Sequence, residues 1–104
     1  MLQQNDISSL VSIIVDRLQP EKVIIFGSYA KGVATPKSDL DIFVIQRTSL
    51  PAYARRQQLQ PLIINHAVKV DVHIYSPEET AAYAGEPFSF VHSVLKTGYV
   101  AYSR

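Results

Sequence analysis

The sequence predicts a small α/β or α+β domain, a mixed sheet flanked by helices. Three observations carry that expectation. Short apolar runs rich in β-branched residues alternate with segments of helical periodicity. Residues 68–75 alternate strictly between apolar and polar side chains, the pattern of a half-buried strand. The chain has 104 residues, enough for one hydrophobic core and too few for two, so residues 1–104 are read as a single domain.

The elements follow in order. Ile7, Leu10, Val11, Ile14 and Leu18 form one helical stripe, with Asn5 or Asp6 as the expected cap and Pro20 as the stop. Lys22 to Phe26 reads as a buried strand ending at Gly27. Ser28 to Lys31 fits one helical turn, with Gly32 as its exit. Val33 to Ser38 is a loop, and Asp39 to Ile45 a second strand. Pro51 sits where a helix can begin. Leu59, Leu62, Ile63 and His66 share helical spacing, but Pro61 lies among them, so a kink or two helices are expected. Val68 to Tyr75 is the alternating strand. Ser76-Pro77-Glu78-Glu79 opens a short helix, and Pro87 another that carries Phe88, Val91, Val94 and Leu95 up to Gly98. Tyr99 to Tyr102 reads as a last edge strand.

Composition excludes several classes of function. With no cysteine there is no disulfide framework, thiolate zinc site or cysteine nucleophile. Ten basic against nine acidic side chains give a net charge of +1, too balanced for a chain whose main task is gripping nucleic-acid phosphates. No apolar run approaches the ~20 residues of a membrane span. The N-terminus lacks the features of a signal peptide. A cytoplasmic protein is expected.

One constellation carries chemistry. Gly27-Ser28 closes a strand and opens a helical turn, an arrangement that suits a phosphate: glycine permits close approach, and the free N–H groups of the turn point outward. Lys31 can add a charge. Ten residues after Ser28 come Asp39-Leu40-Asp41. Two aspartates two apart on a strand share a face, with Cα atoms ~7 Å apart. Their carboxylates repel, and the apolar neighbours Leu40, Ile42 and Phe43 raise the cost. A divalent cation relieves that repulsion, and an oxygen-only ligand set points to magnesium or manganese. Asp71, on the polar face of the alternating strand, is the third candidate. Three aspartates carry about −3 against about +4 for two divalent ions, leaving positive charge to hold a triphosphate.

Gly27-Ser28-Tyr29-Ala30-Lys31-Gly32 followed by Ser38-Asp39-Leu40-Asp41-Ile42 resembles the GSx10DxD signature of the polymerase β-like nucleotidyltransferase superfamily. Val70-Asp71-Val72 is similar to that family's third-aspartate strand. The stretch from Val94 to Tyr102 resembles the closing helix–glycine–strand of its minimal branch, the antitoxin half of HEPN/MNT toxin–antitoxin pairs. The resemblance covers roughly Val23 to Tyr102. It implies a polymerase β-like palm domain that transfers AMP from ATP. Gly27, Ser28 and Lys31 would bind nucleotide. Asp39, Asp41 and Asp71 would hold two Mg2+ ions, and Asp71 would also act as general base. The implied partner is a cognate HEPN ribonuclease toxin, modified on a tyrosine within a hetero-oligomer. The family often has arginine where Lys31 stands. Larger relatives carry a helical domain over the base, so here the nucleobase pocket is expected to be shallow or completed by a partner. Two other functions stay open: an antitoxin that neutralises by binding alone, and a nucleotidyltransferase acting on a small molecule.

Other polar residues are expected in plainer roles. His73 reads as a partly exposed surface residue, and His66 and His92 as packed ones. Arg55 and Arg56 read as a solvated helix face. Tyr29 is a stacking group or a loop anchor. Phe88, Phe90, Tyr99 and Tyr102 fit either an interface or the core.

Overall fold

The computed structural model describes residues 1–63 and 68–104, and of Leu62 and Ile63 the backbone alone. His66 therefore lies outside the described residues. The first helix, α1, spans Gln4–Leu18 and buries Ile7, Leu10, Val11, Ile14 and Leu18, the predicted stripe. Its cap is Gln3 rather than Asn5 or Asp6. Asp6 sits in the first turn, and its carboxylate accepts a hydrogen bond from the Gln3 N–H at 2.8 Å. There it satisfies a free donor and meets the positive end of the helix dipole. Gln19 turns left-handed at φ 48°, and Pro20 prevents continuation.

Four strands form the sheet: β1 (Lys22–Phe26), β2 (Leu40–Ile45), β3 (Val70–Tyr75) and β4 (Tyr99–Ser103), in the order β3-β2-β1-β4. β1 runs antiparallel to both β2 and β4, and β2 and β3 are parallel. This is the mixed sheet the sequence predicts. Alternation along the strands divides the core into two layers. On one face Val23, Ile25, Ile42, Val44, Val72 and Ile74 meet the buried stripe of α1 and Leu59. On the other, Ile24, Phe43 and Ile45 meet Val91 and Val94. β1 and β2 are covered on both sides, which is why they read as continuous apolar runs. β3 keeps Asp71, His73 and Tyr75 half-buried on the second face.

The helices between the strands are short. α2 (Ser28–Lys31) is one turn, and Gly32 leaves it left-handed at φ 73°. The crossover from β2 to β3 breaks into α3 (Ala52–Arg55), a 3-10 turn (Arg56–Gln58) and α4 (Gln60–Ile63). Pro61 occupies the first turn of α4, where its missing N–H costs little. α5 (Pro77–Ala84) is capped by Ser76, whose hydroxyl accepts from the Glu79 N–H at 3.1 Å. α6 (Phe90–Thr97) begins at Ser89 rather than at Pro87, because the Ser89 hydroxyl accepts from the His92 N–H at 3.0 Å. Phe88 accordingly stands outside the helix and fully exposed. Among the described residues no helix is long and apolar enough to cross a membrane.

Arg55 corrects the expectation of a solvated face, since it is only 8% exposed. Its guanidinium donates to the Leu50 carbonyl at 2.9 Å, the Ile74 carbonyl at 3.2 Å and the Glu79 carboxylate at 2.6 Å. Glu79 also accepts from the Ser76 N–H at 2.7 Å. This latch joins the crossover, the end of β3 and the start of α5. The hydrogen bond from Arg55, with that from Ser76, holds the Glu79 carboxyl below its ordinary value.

Candidate functional site

The site is built from a cross-strand row. Register sets Phe26 opposite Asp41 on β1 and β2, and Asp41 opposite Asp71 on β2 and β3. Asp41 and Asp71 therefore stand side by side on the face that α6 covers farther along the sheet. Asp39 lies one residue before β2 instead of inside the strand. Its neighbour Leu40 is already held by a hydrogen bond from its N–H to the Lys69 carbonyl at 2.9 Å.

Gly27 closes the row from the β1 side. Its φ of 75° and ψ of −153° are open essentially to glycine alone. A Cβ at this position would overlap the Asp41 carboxylate, lying 3.2 Å from its Cγ. The missing side chain is thus what lets the turn into α2 pass against Asp41. Ser28 follows directly as the first residue of α2 and is half-buried. Lys31 ends α2 and is exposed.

Electrostatics make the row costly. Burial, then the charge of Asp71, then that of Asp39, raise the Asp41 carboxyl above its ordinary value. Two cations partly answer this charge. Lys69 Nζ lies 4.0 Å from Asp39 Oδ2 and 3.9 Å from Asp71 Oδ2. Arg56 Nη2 lies 3.8 Å from Asp71 Oδ1. Among the described residues, no three acidic or imidazole side chains close around one point as they stand. The expected trio is a facing pair, Asp41 and Asp71, with Asp39 joined to it through Lys69.

His73 follows two residues after Asp71 on the same face. Its ring lies 5.0 Å from that of Phe90 and 5.8 Å from that of Phe26. Burial against these rings holds its imidazole below the ordinary value, which favours the neutral form. A groove of about 260 Å³ passes Arg56, His73 and Tyr75. A larger one, about 720 Å³, lies between α1 and β4 and is lined by none of the three aspartates. The site is therefore placed by its chemistry rather than by cavity size.

Sequence reasoning passed over Lys69 and read Arg56 as part of a solvated helix face, whereas it pairs with Asp71. The alternation that set Asp71 on the polar face sets Lys69 there too, so that signal was present. Arg56 arrives from the irregular crossover and had none. Tyr29 ties its turn to the N-terminus, its hydroxyl accepting from the Leu2 N–H at 3.0 Å. His92 is packed as expected, with Nδ1 2.9 Å from the Ala84 carbonyl.

A glycine turn thus closes against facing aspartates on a mixed sheet. The chain matches the nucleotidyltransferase domain family over residues 7–95 and belongs to that family. Its class is that of the nucleotide-transferring enzymes. A curated protein of Methanocaldococcus jannaschii, named "putative protein adenylyltransferase", is 30% identical over 71 residues, which cover 68% of this chain and 66% of that protein. The fold is similar to that of a Sulfolobus solfataricus protein named "putative nucleotidyltransferase", with a TM-score of 0.66 and 22% identity over 97% of this chain and 84% of that one. It is equally similar to a chain of a toxin–antitoxin crystallised with AMP-PNP, with a TM-score of 0.66 and 23% identity over 99% of this chain and 75% of that one.

Proposed function

We propose that the chain is a protein adenylyltransferase of the antitoxin type, which transfers AMP from ATP to a tyrosine hydroxyl of a cognate HEPN ribonuclease toxin. The observation that carries the reading is Asp41 facing Asp71 across β2 and β3, with Gly27 closed against it. The M. jannaschii relative's name and the fold shared with an antitoxin-containing complex support it.

The donor set fits divalent cations. It is all carboxylate oxygen, and the repulsion that raises the Asp41 carboxyl is the charge such an ion would neutralise. Asp41 and Asp71, with Asp39 beside them, would hold two magnesium ions. When bound, these ions would neutralise charge building on the α-phosphate and on departing pyrophosphate.

The chain's own residues do the rest. The Gly27-Ser28 turn and Lys31 hold the triphosphate. The acceptor hydroxyl oxygen attacks the α-phosphorus as the bond to the β-phosphate oxygen breaks. Pyrophosphate leaves, and Asp71 takes the hydroxyl proton.

The test is incubation with α-labelled ATP, magnesium and the protein encoded beside this one. Label should appear on that protein's tyrosine and be lost with Asp41→Asn. Neutralisation of the toxin that survives Asp41→Asn with no label transferred would establish a binding-only antitoxin and overturn the proposal. Label found on a small molecule in the absence of any toxin would overturn it in the other direction.

A further inference from the structure

Lys69 is placed by the sheet, not by chance on the surface. β2 and β3 pair Leu40 with Val70 and Asp41 with Asp71. Extending that register by one residue sets Lys69 across from Asp39, and the Leu40 N–H to Lys69 carbonyl hydrogen bond of 2.9 Å holds it there. Strand alternation puts Lys69 on the same face as Asp71. Its ammonium therefore falls between one carboxylate from each strand, 4.0 Å from Asp39 and 3.9 Å from Asp71. Its side chain is 70% exposed, and among the described residues these two ion pairs are what hold it there. Arg56 reaches Asp71, at 3.8 Å, from the crossover side.

Resting on the reading above that the aspartates hold divalent cations, we infer that Lys69 is the resident counter-ion of the carboxylate row. It competes with metal for Asp39 and Asp71, and so sets how tightly the row takes a free divalent ion. An ammonium and a divalent cation cannot share the same two carboxylates without repelling. A metal entering the row displaces Lys69 toward solvent, and the lost ion pairs are subtracted from its affinity. The lysine keeps the bare row from taking metal strongly.

The experiment is calorimetric titration of the full chain with Mn2+ alone, without nucleotide, at low ionic strength. Lys69→Met should bind Mn2+ about threefold to tenfold more tightly than wild type, the range for removing one partly screened charge at such distances. Lys69→Arg, which keeps the charge, should stay within about twofold of wild type. The gap between Lys69→Met and wild type should narrow as salt shortens the reach of the charge. Thermal melts without metal check that each variant folds. Binding by Lys69→Met equal to or weaker than wild type, or an equal gain in Lys69→Arg, overturns the inference while leaving the metal row intact. No Mn2+ binding by folded wild type overturns the metal row itself, and the counter-ion role with it.

Discussion

Replacing Asp41 by asparagine should stabilise the metal-free protein. Asp41 and Asp71 are register partners on adjacent parallel strands, which lie about 4.8 Å apart. Two unit charges at that separation repel by about 0.9 kcal/mol even at the dielectric of water. Burial of Asp41 and the charge of Asp39 add to this, while His73 and then Lys69 subtract. Because Asp41 is only partly buried, the net gain is taken as about 0.5–1 kcal/mol, or about 2–8 °C in Tm for a domain of this size. A carboxyl raised by folding contributes stability fully below its unfolded value of 3.8, and loses it as pH rises through the folded value. Asparagine has no proton to lose, so the advantage of Asp41→Asn should be full near about pH 7 and shrink toward about pH 4. Circular dichroism melts in chelator across that range measure it. Mg-ATP should reverse the order, since a ligand at ~100 times its Kd adds about 2.7 kcal/mol to a protein that binds it. The reasoning is refuted if Asp41→Asn melts at or below wild type at neutral pH in chelator, or if its advantage does not change with pH.

Gly27→Ala should cost about 1–3 kcal/mol, because alanine disfavours the required backbone and its methyl overlaps Asp41; it should also abolish the melting shift on Mg-ATP, and wild-type stability would contradict the Gly27–Asp41 contact. Arg55→Met should destabilise by about 1–3 kcal/mol by leaving the Leu50 and Ile74 carbonyls and Glu79 without their donor, as urea titration would show. Because folding depresses the Glu79 carboxyl, its contribution is present above the ordinary value of 4.5 and lost as pH falls through the folded value. Glu79→Gln should therefore lower stability at neutral pH and lose that deficit in acid. Ile14→Ala, in the core under α1, should cost about 2–5 kcal/mol while leaving the Mg-ATP shift in place, which separates a packing defect from a site defect.

Much of this architecture was legible along the chain. β1 ends at Gly27 as its apolar run predicts, and the stripe from Ile7 to Leu18 marks the buried face of α1. Regular elements announce themselves because their period repeats over several residues. Boundaries set by a single hydrogen bond do not: the cap at Ser89 displaced the expected start at Pro87, and Gln3 displaced Asn5 or Asp6. Arg55 was misjudged because its partners, the Ile74 carbonyl and Glu79, are distant in sequence.

The site divides in the same way. The sequence by itself determined which groups are present, Gly27-Ser28 and the three aspartates, and by alternation the face that Asp71 would take. Only the tertiary structure decided that β2 and β3 run parallel in the register that sets Asp41 against Asp71, that Gly27 closes on the same carboxylate, and that Lys69 and Arg56 answer the charge. Those outcomes depend on strand pairing and on a crossover without a repeating pattern. Local spacing fixes the direction of a side chain, but not which distant residue will stand across from it.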